Sequence, residues 1–253
     1  MQKKTDAQAI EFFHLVFLGV MQARVDQSRY VLKGGANLRY FFNSDRYSED
    51  IDLDAIDIER WKLEEKVDAV IKSAAMTTQL ERAGLVIEGV NKHKQTETTQ
   101  RWKFTLTLRG RQTPLHTKIE FSRRQGDDGR RALEPVPDRV SRPHALRPPT
   151  VLHYSWVPAL EQKIAALGRR AETQARDVFD IELLLRQGGE RFPADEVKKD
   201  DVRAAIVRTM ELPFEAFLNQ VAPFLDPEVA DQYDRASWEY IRSTVAEWLG
   251  GLR

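Results

Sequence analysis

The chain of 253 residues contains no cysteine. That excludes disulfide staples and thiolate metal sites, and it suits a reducing cytoplasm. No apolar run approaches the roughly 20 residues that span a bilayer, so no membrane association is expected. Asp6 and Glu11 interrupt the apolar residues near the start, a pattern unlike a signal peptide. Net charge is missing too. The 39 Lys and Arg are balanced by 39 Asp and Glu, which argues against a protein coated all over by polyanion. The balance is uneven along the chain. Between Arg101 and Arg147, twelve Lys and Arg stand against five Asp and Glu. Such a stretch can meet nucleic acid or nucleotide phosphates, or it can be an ordinary solvated surface.

What is present centres on Lys33 to Asp54, KGGANLRYFFNSDRYSEDIDLD. Val31-Leu32 is apolar and short, like a strand end, and Tyr30 to Lys33 reads as the first strand. Gly34-Gly35 breaks it, and Ala36 to Phe42 has the spacing of a short helix. A run alternating acid and aliphatic follows: Asp50, Ile51, Asp52, Leu53, Asp54. Strand side chains alternate faces, so the three acids share one face. Adjacent carboxylates repel and Asp is a poor strand former, so a cation is the natural neutraliser. Mg²⁺ is the hard ion held by one or two carboxylates plus substrate phosphates. Gly-Gly before a helix offers backbone N–H groups to a phosphate. The alternative is a tight turn followed by an acidic, solvated edge strand.

Helical spacing of Ile10, Phe13, His14, Phe17, Leu18 and Met21 predicts an amphipathic helix from about 5 to 26, with His14 packed in the core. A long helix is predicted from Trp61 to Ala83, stopped by Gly84. Strands are predicted over Leu85 to Asn91, Arg101 to Arg109 and Leu115 to Ser122. In the last, His116, Lys118 and Glu120 face one way, and Glu120 can join Asp50 and Asp52 if the strands are neighbours. A half-exposed strand Glu is the alternative. Gln125 to Gly129 reads as a polar loop. Five prolines between Glu134 and Thr150 suggest an extended connector. Beyond it, helices are predicted over Val157 to Arg169, over Thr173 to Gln187 with Thr173 as cap, and around 194–210, 213–220 and 231–249. Lys163 lies near an apolar stripe and needs an anionic partner. Asp177 and Asp180 share a helix face. These three make either a structural ion-pair network or a nucleotide contact. The fold class is therefore α+β, with a sheet-bearing domain over 1–140, a connector over 134–150 and a helical domain over 150–253.

KGGANLRYFF…RYSEDIDLD, KIEFSRR, LEQKIAAL and ARDVFDIELLL, in that order, resemble the AbiEii/AbiGii-type toxin nucleotidyltransferases of the DNA polymerase beta-like superfamily. The resemblance runs from about Val31 to Gly188. It implies a mixed nucleotidyltransferase sheet with flanking helices. It also implies an enzyme that moves a nucleoside monophosphate from a nucleoside triphosphate to an acceptor hydroxyl, with two Mg²⁺ ions. Asp50 and Asp52 would bind the metal, with Glu120 as third carboxylate and candidate base. Lys163 would contact the triphosphate. Asp177 would be a second catalytic or positioning acid, with Asp180 beside it in a more structural part. Gly34 and Gly35 would cradle phosphate, with Arg46 and Ser48 nearby and Asp54 further out. The site would thus draw on both sides of the connector.

By the same resemblance the acceptor is the 3′ end of tRNA, and the setting is a toxin with a cognate antitoxin, as in phage defence. Arg101, Lys103, Arg109, Arg123 and Arg124 are candidates to meet the RNA. Trp102 could stack on a base or simply pack. Two other readings stay open: a small-molecule acceptor, as in antibiotic-modifying transferases, and a non-catalytic protein that binds nucleotide or a partner.

Overall fold

A computed structural model describes residues 5–123 and 130–252. The expected loop over Gln125 to Gly129, and Arg124, lie outside the described residues. The chain divides into two compact units. One holds the chain up to Phe41 together with Tyr47–Tyr154, and the other holds Phe42–Arg46 and everything from Ser155 onward.

In the first unit, helix α1 (Asp6–Met21) begins at a Thr5 capping box closed by Gln8. Strand β1 (Tyr30–Lys33) runs directly into α2 (Gly34–Phe41), and β2 (Ile51–Ala55) follows. The single helix expected from Trp61 to Ala83 is two: α3 (Arg60–Ile71) and α4 (Ala74–Arg82). The cause is Ser73. Its hydroxyl donates to the Val70 carbonyl and accepts the Met76 N–H, so it starts a new helix. Apolar spacing continues through this break and conceals it. Gly84, at φ +76°, ends α4 as expected.

Strands β3 (Leu85–Gln95), β4 (Thr99–Leu108) and β5 (Leu115–Ser122) follow. The proline-rich stretch is not an extended connector. It contains the end of β6 (Arg131–Pro135), the short helix α5 (Asp138–Ser141) and the start of β7 (Thr150–Tyr154). Both strands join the sheet, whose order is β3-β4-β5-β2-β1-β7-β6. Pro135 sits on the edge strand, where its missing N–H costs nothing. The sheet is mixed: β2–β5 and β1–β7 are parallel, and the other pairs are antiparallel.

One face of this sheet is the core face. Leu32, Ile51, Leu53, Ile119, Phe121 and Phe104 are fully or nearly fully buried with Phe13, Phe17, Leu63 and Leu80 of the helices. Trp102 donates its indole N–H to Asp68 of α3, and Phe13 of α1 packs on Phe104 at 4.9 Å. Period-two alternation sends Asp52, Glu120, Lys118, Arg101 and Lys103 to the opposite face.

The second unit is helical: α6 (Trp156–Arg169), α7 (Ala175–Leu185), α8 (Lys199–Glu211), α9 (Phe214–Gln220), α10 (Pro227–Ala230) and α11 (Arg235–Gly251). Thr173 does not cap α7; Gln174 precedes it, without a side-chain bond. Trp238, Phe217 and Val245 are fully buried, and Phe217 packs against Phe179, Phe214, Tyr233 and Trp238. A Cβ on Gly168 would come within 2.6 Å of the Asp201 carbonyl oxygen, so glycine is what lets α6 approach α8.

Candidate active site

The site in the first unit is built by strand register. Lys33 of β1 lies opposite Asp52 of β2, Asp52 opposite Glu120 of β5, and Glu120 opposite Arg101 of β4. The parallel β2–β5 pairing thus brings Glu120 next to Asp52, as the alternation had allowed. Gly34 closes the row from the side. It has φ +68°, and a Cβ there would stand 3.0 Å from Asp52 Oδ2. Conformation and space both select glycine. Gly35 follows it within the first turn of α2.

Each carboxylate in this region has a different environment. Asp54 is buried, ion-paired with Lys33, and accepts the Tyr154 hydroxyl at 2.8 Å. Glu120 pairs with Arg101. Asp50 accepts the Lys118 backbone N–H at 3.0 Å and pairs with the Lys118 ammonium. Asp52 alone of these four has neither a hydrogen bond nor an ion pair among the described residues. Burial is the largest influence on it and raises its pKa; Lys118 and Lys33 pull it down, while Asp50 and Glu120 push it up, and the net direction is up.

A chain of buried hydrogen bonds holds the start of β2. The Thr117 hydroxyl donates to the Glu49 carbonyl at 2.6 Å, so it must accept from His14 Nε2 at 2.7 Å. His14 is thus a packed core histidine, as expected, with a defined tautomer. Burial lowers its pKa to about 4. Ser48 donates to the Asp50 carbonyl at 2.8 Å, bracing the same turn.

Among the described residues no three His, Asp or Glu side chains converge as a ready-made metal cage. Mg²⁺ does not require one, since it is usually held by one or two carboxylates with substrate phosphates. Asp52, an unpartnered half-buried carboxylate beside a second acid, fits that donor chemistry.

The other predicted residues form a network inside the second unit. Lys163 of α6 is buried and reaches Asp177 at 3.0 Å and Asp180 at 2.6 Å, both on α7 and both fully buried. Arg46 contacts Asp180 through two nitrogens, at 2.8–3.2 Å, and Arg170 reaches Asp177 at 2.8 Å. Burial raises the pKa of Asp180, but the Arg46 and Lys163 charges outweigh it and hold the carboxyl below the usual Asp range. Arg46, expected near phosphate, is buried with its guanidinium engaged by Asp180.

Trp102 is wholly buried and cannot stack on a base. Arg123 turns to Gln100 and the Ile58 carbonyl. Lys33, Tyr154 and Arg170 were not singled out from sequence. Only Lys33 had a signal there, its position next to Gly34; the other two act across distances that no local pattern records.

The family described as nucleotidyl transferase AbiEii toxin, type IV toxin–antitoxin system, matches residues 17–246. No curated protein matches the sequence. The fold is similar to the crystal structure of JHP933 from Helicobacter pylori, at 18% identity and a TM-score of 0.61, with 98% of this chain and 95% of that one covered. It is also similar to a structure from H. pylori described provisionally as a nucleotidyltransferase, at 16% identity and a TM-score of 0.60, covering 97% and 96%.

Proposed function

The chain belongs to the AbiEii nucleotidyl transferase toxin family of type IV toxin–antitoxin systems, and from that premise we propose that it transfers a nucleoside monophosphate from a nucleoside triphosphate to the 3′-hydroxyl of tRNA. The observation that carries this reading is Asp52: a half-buried carboxylate with no hydrogen-bond or ion-pair partner among the described residues, in register with Glu120 and against a glycine of positive φ.

In this proposal Asp52 and Asp50 hold Mg²⁺, with Glu120 alongside. The metal, when bound, supplies charge neutralisation at the α-phosphate and acidifies the acceptor hydroxyl. Gly34 and Gly35 let backbone N–H groups at the start of α2 approach phosphate. Glu120 takes the proton of the acceptor hydroxyl. The acceptor oxygen then bonds to the α-phosphorus as the bond to pyrophosphate breaks. His14, Thr117 and Ser48 keep the turn before Asp50 in place. Lys163, held by Asp177 and Asp180, is proposed as a nucleotide-contacting residue of the second unit. The proposed setting is the cytoplasm, with a cognate antitoxin as partner and phage defence as the role.

The test is incubation with each of the four labelled nucleoside triphosphates, Mg²⁺ and total tRNA. Label is expected on the RNA, to vanish with EDTA and to be lost in Asp52→Ala while that variant keeps its native melting profile. Label confined to small molecules, or full activity in Asp52→Ala, would sink the reading.

A further inference from the structure

We infer that the face of β5, β4 and β3 beside Asp52 is the track for the acceptor strand, a single-stranded polynucleotide whose phosphates run over Lys103 and Lys94. This rests on the RNA acceptor proposed above and adds where that acceptor lies.

The cross-strand rows supply the argument. Asp52, Glu120, Arg101 and Lys94 stand opposite one another in turn across β2, β5, β4 and β3. Next to that row, Lys118 lies opposite Lys103, and Lys103 opposite Asn91. Strands are about 4.8 Å apart. A chain crossing them therefore meets a cation at nearly every step away from the carboxylates. Like charges directly opposite each other destabilise a sheet, yet Lys103 and Lys118 are so placed. Lys118 has Asp50, while Lys103 and Lys94 are exposed and have no hydrogen-bond or ion-pair partner among the described residues. His116, Thr105 and Asn91 add hydrogen-bonding groups to the same face. The helices α1, α3 and α4 all pack on the core face of these strands. Lysine on an edge strand can serve only to discourage strand addition. That accounts for Lys94 on β3, but Lys103 lies on an inner strand. An acidic protein would find these cations as well. The rows converge on the reacting carboxylates, however, which favours a polyanion whose end is to be modified.

The experiment is fluorescence anisotropy with a labelled single-stranded RNA bearing a free 3′-hydroxyl, on the full chain and on K94A/K103A across a salt series. Both side chains are exposed, so the variant should melt as the parent does. Its RNA affinity should fall about tenfold or more. Its log–log salt slope should flatten by about 1.4, at about 0.7 for each phosphate that no longer meets a lysine. Unchanged affinity and slope in the variant would overturn the track while leaving the RNA reading intact. No RNA binding by the parent would overturn both. Antitoxin binding abolished in K94A/K103A with RNA binding kept would assign the face to a protein and overturn the track.

Discussion

A buried residue with a direct consequence for acid stability is His14. It is wholly enclosed, and burial holds its pKa near 4 against an ordinary value of 6.5. Above pH 6.5 both folded and unfolded chains carry it neutral, and it contributes nothing to pH dependence. Below 6.5 the unfolded chain binds a proton that the folded chain refuses. Stability is therefore lost as pH falls from 6.5 towards 4, by on the order of 3 kcal/mol. His14→Gln should lose less stability over this window while keeping a donor for Thr117. Urea midpoints at pH 7 and pH 4.5 measure the difference, and equal losses in the two proteins would remove His14 as the cause. Glu11, also buried on α1, adds to this weakness at lower pH, because a lowered carboxyl pKa gives stability that is lost as pH falls below its ordinary 4.5. Burial raises its pKa, but His144 and Arg39 more than offset that and leave it lowered.

At the scale of elements, the junction of β1 and α2 is the most constrained. Gly34 starts the helix at φ +68° with Asp52 Oδ2 where a Cβ would go. A left-handed conformation costs an ordinary residue about 1–2 kcal/mol. Gly34→Ala is expected to lower stability by roughly that amount and to lower nucleotide transfer more than a melting shift accounts for, because the methyl displaces Asp52. A variant with parental transfer rates would show that the approach of α2 to β2 is not needed. The helix break at Ser73 belongs to this scale as well. A single hydroxyl serving both the Val70 carbonyl and the Met76 N–H converts one apolar stripe into two helices.

For the whole molecule, charge is the governing quantity. Positive and negative side chains are equal in number and the isoelectric point is about 7.0, so self-repulsion is least near neutral pH. Solubility, measured as the polyethylene glycol concentration that precipitates the protein, should pass through a minimum near pH 7 and rise on either side. A flat profile would mean that local patches rather than net charge control association. The basic strands are one such patch, and salt should affect RNA binding far more than folding.

The amino-acid sequence by itself determined the α+β class, the Gly-Gly turn, the shared face of Asp52 and Asp54, and the placement of Lys163 near Asp177 and Asp180. These follow from local periodicity, which a strand or helix of known pitch translates directly into direction. Asp50, expected on that face, precedes β2 and accepts the Lys118 backbone N–H instead. Tertiary structure decided the rest. Which strand neighbours β2 is a long-range pairing, and only that pairing puts Glu120 opposite Asp52. Pro135 of the supposed connector lies within β6 because the sheet edge tolerates a missing N–H. Among the described residues Asp52 stands without a partner because Lys33 reaches Asp54 and Lys118 reaches Asp50. No spacing along the chain could settle that division of cations among carboxylates, since it depends on which side chains meet across the sheet.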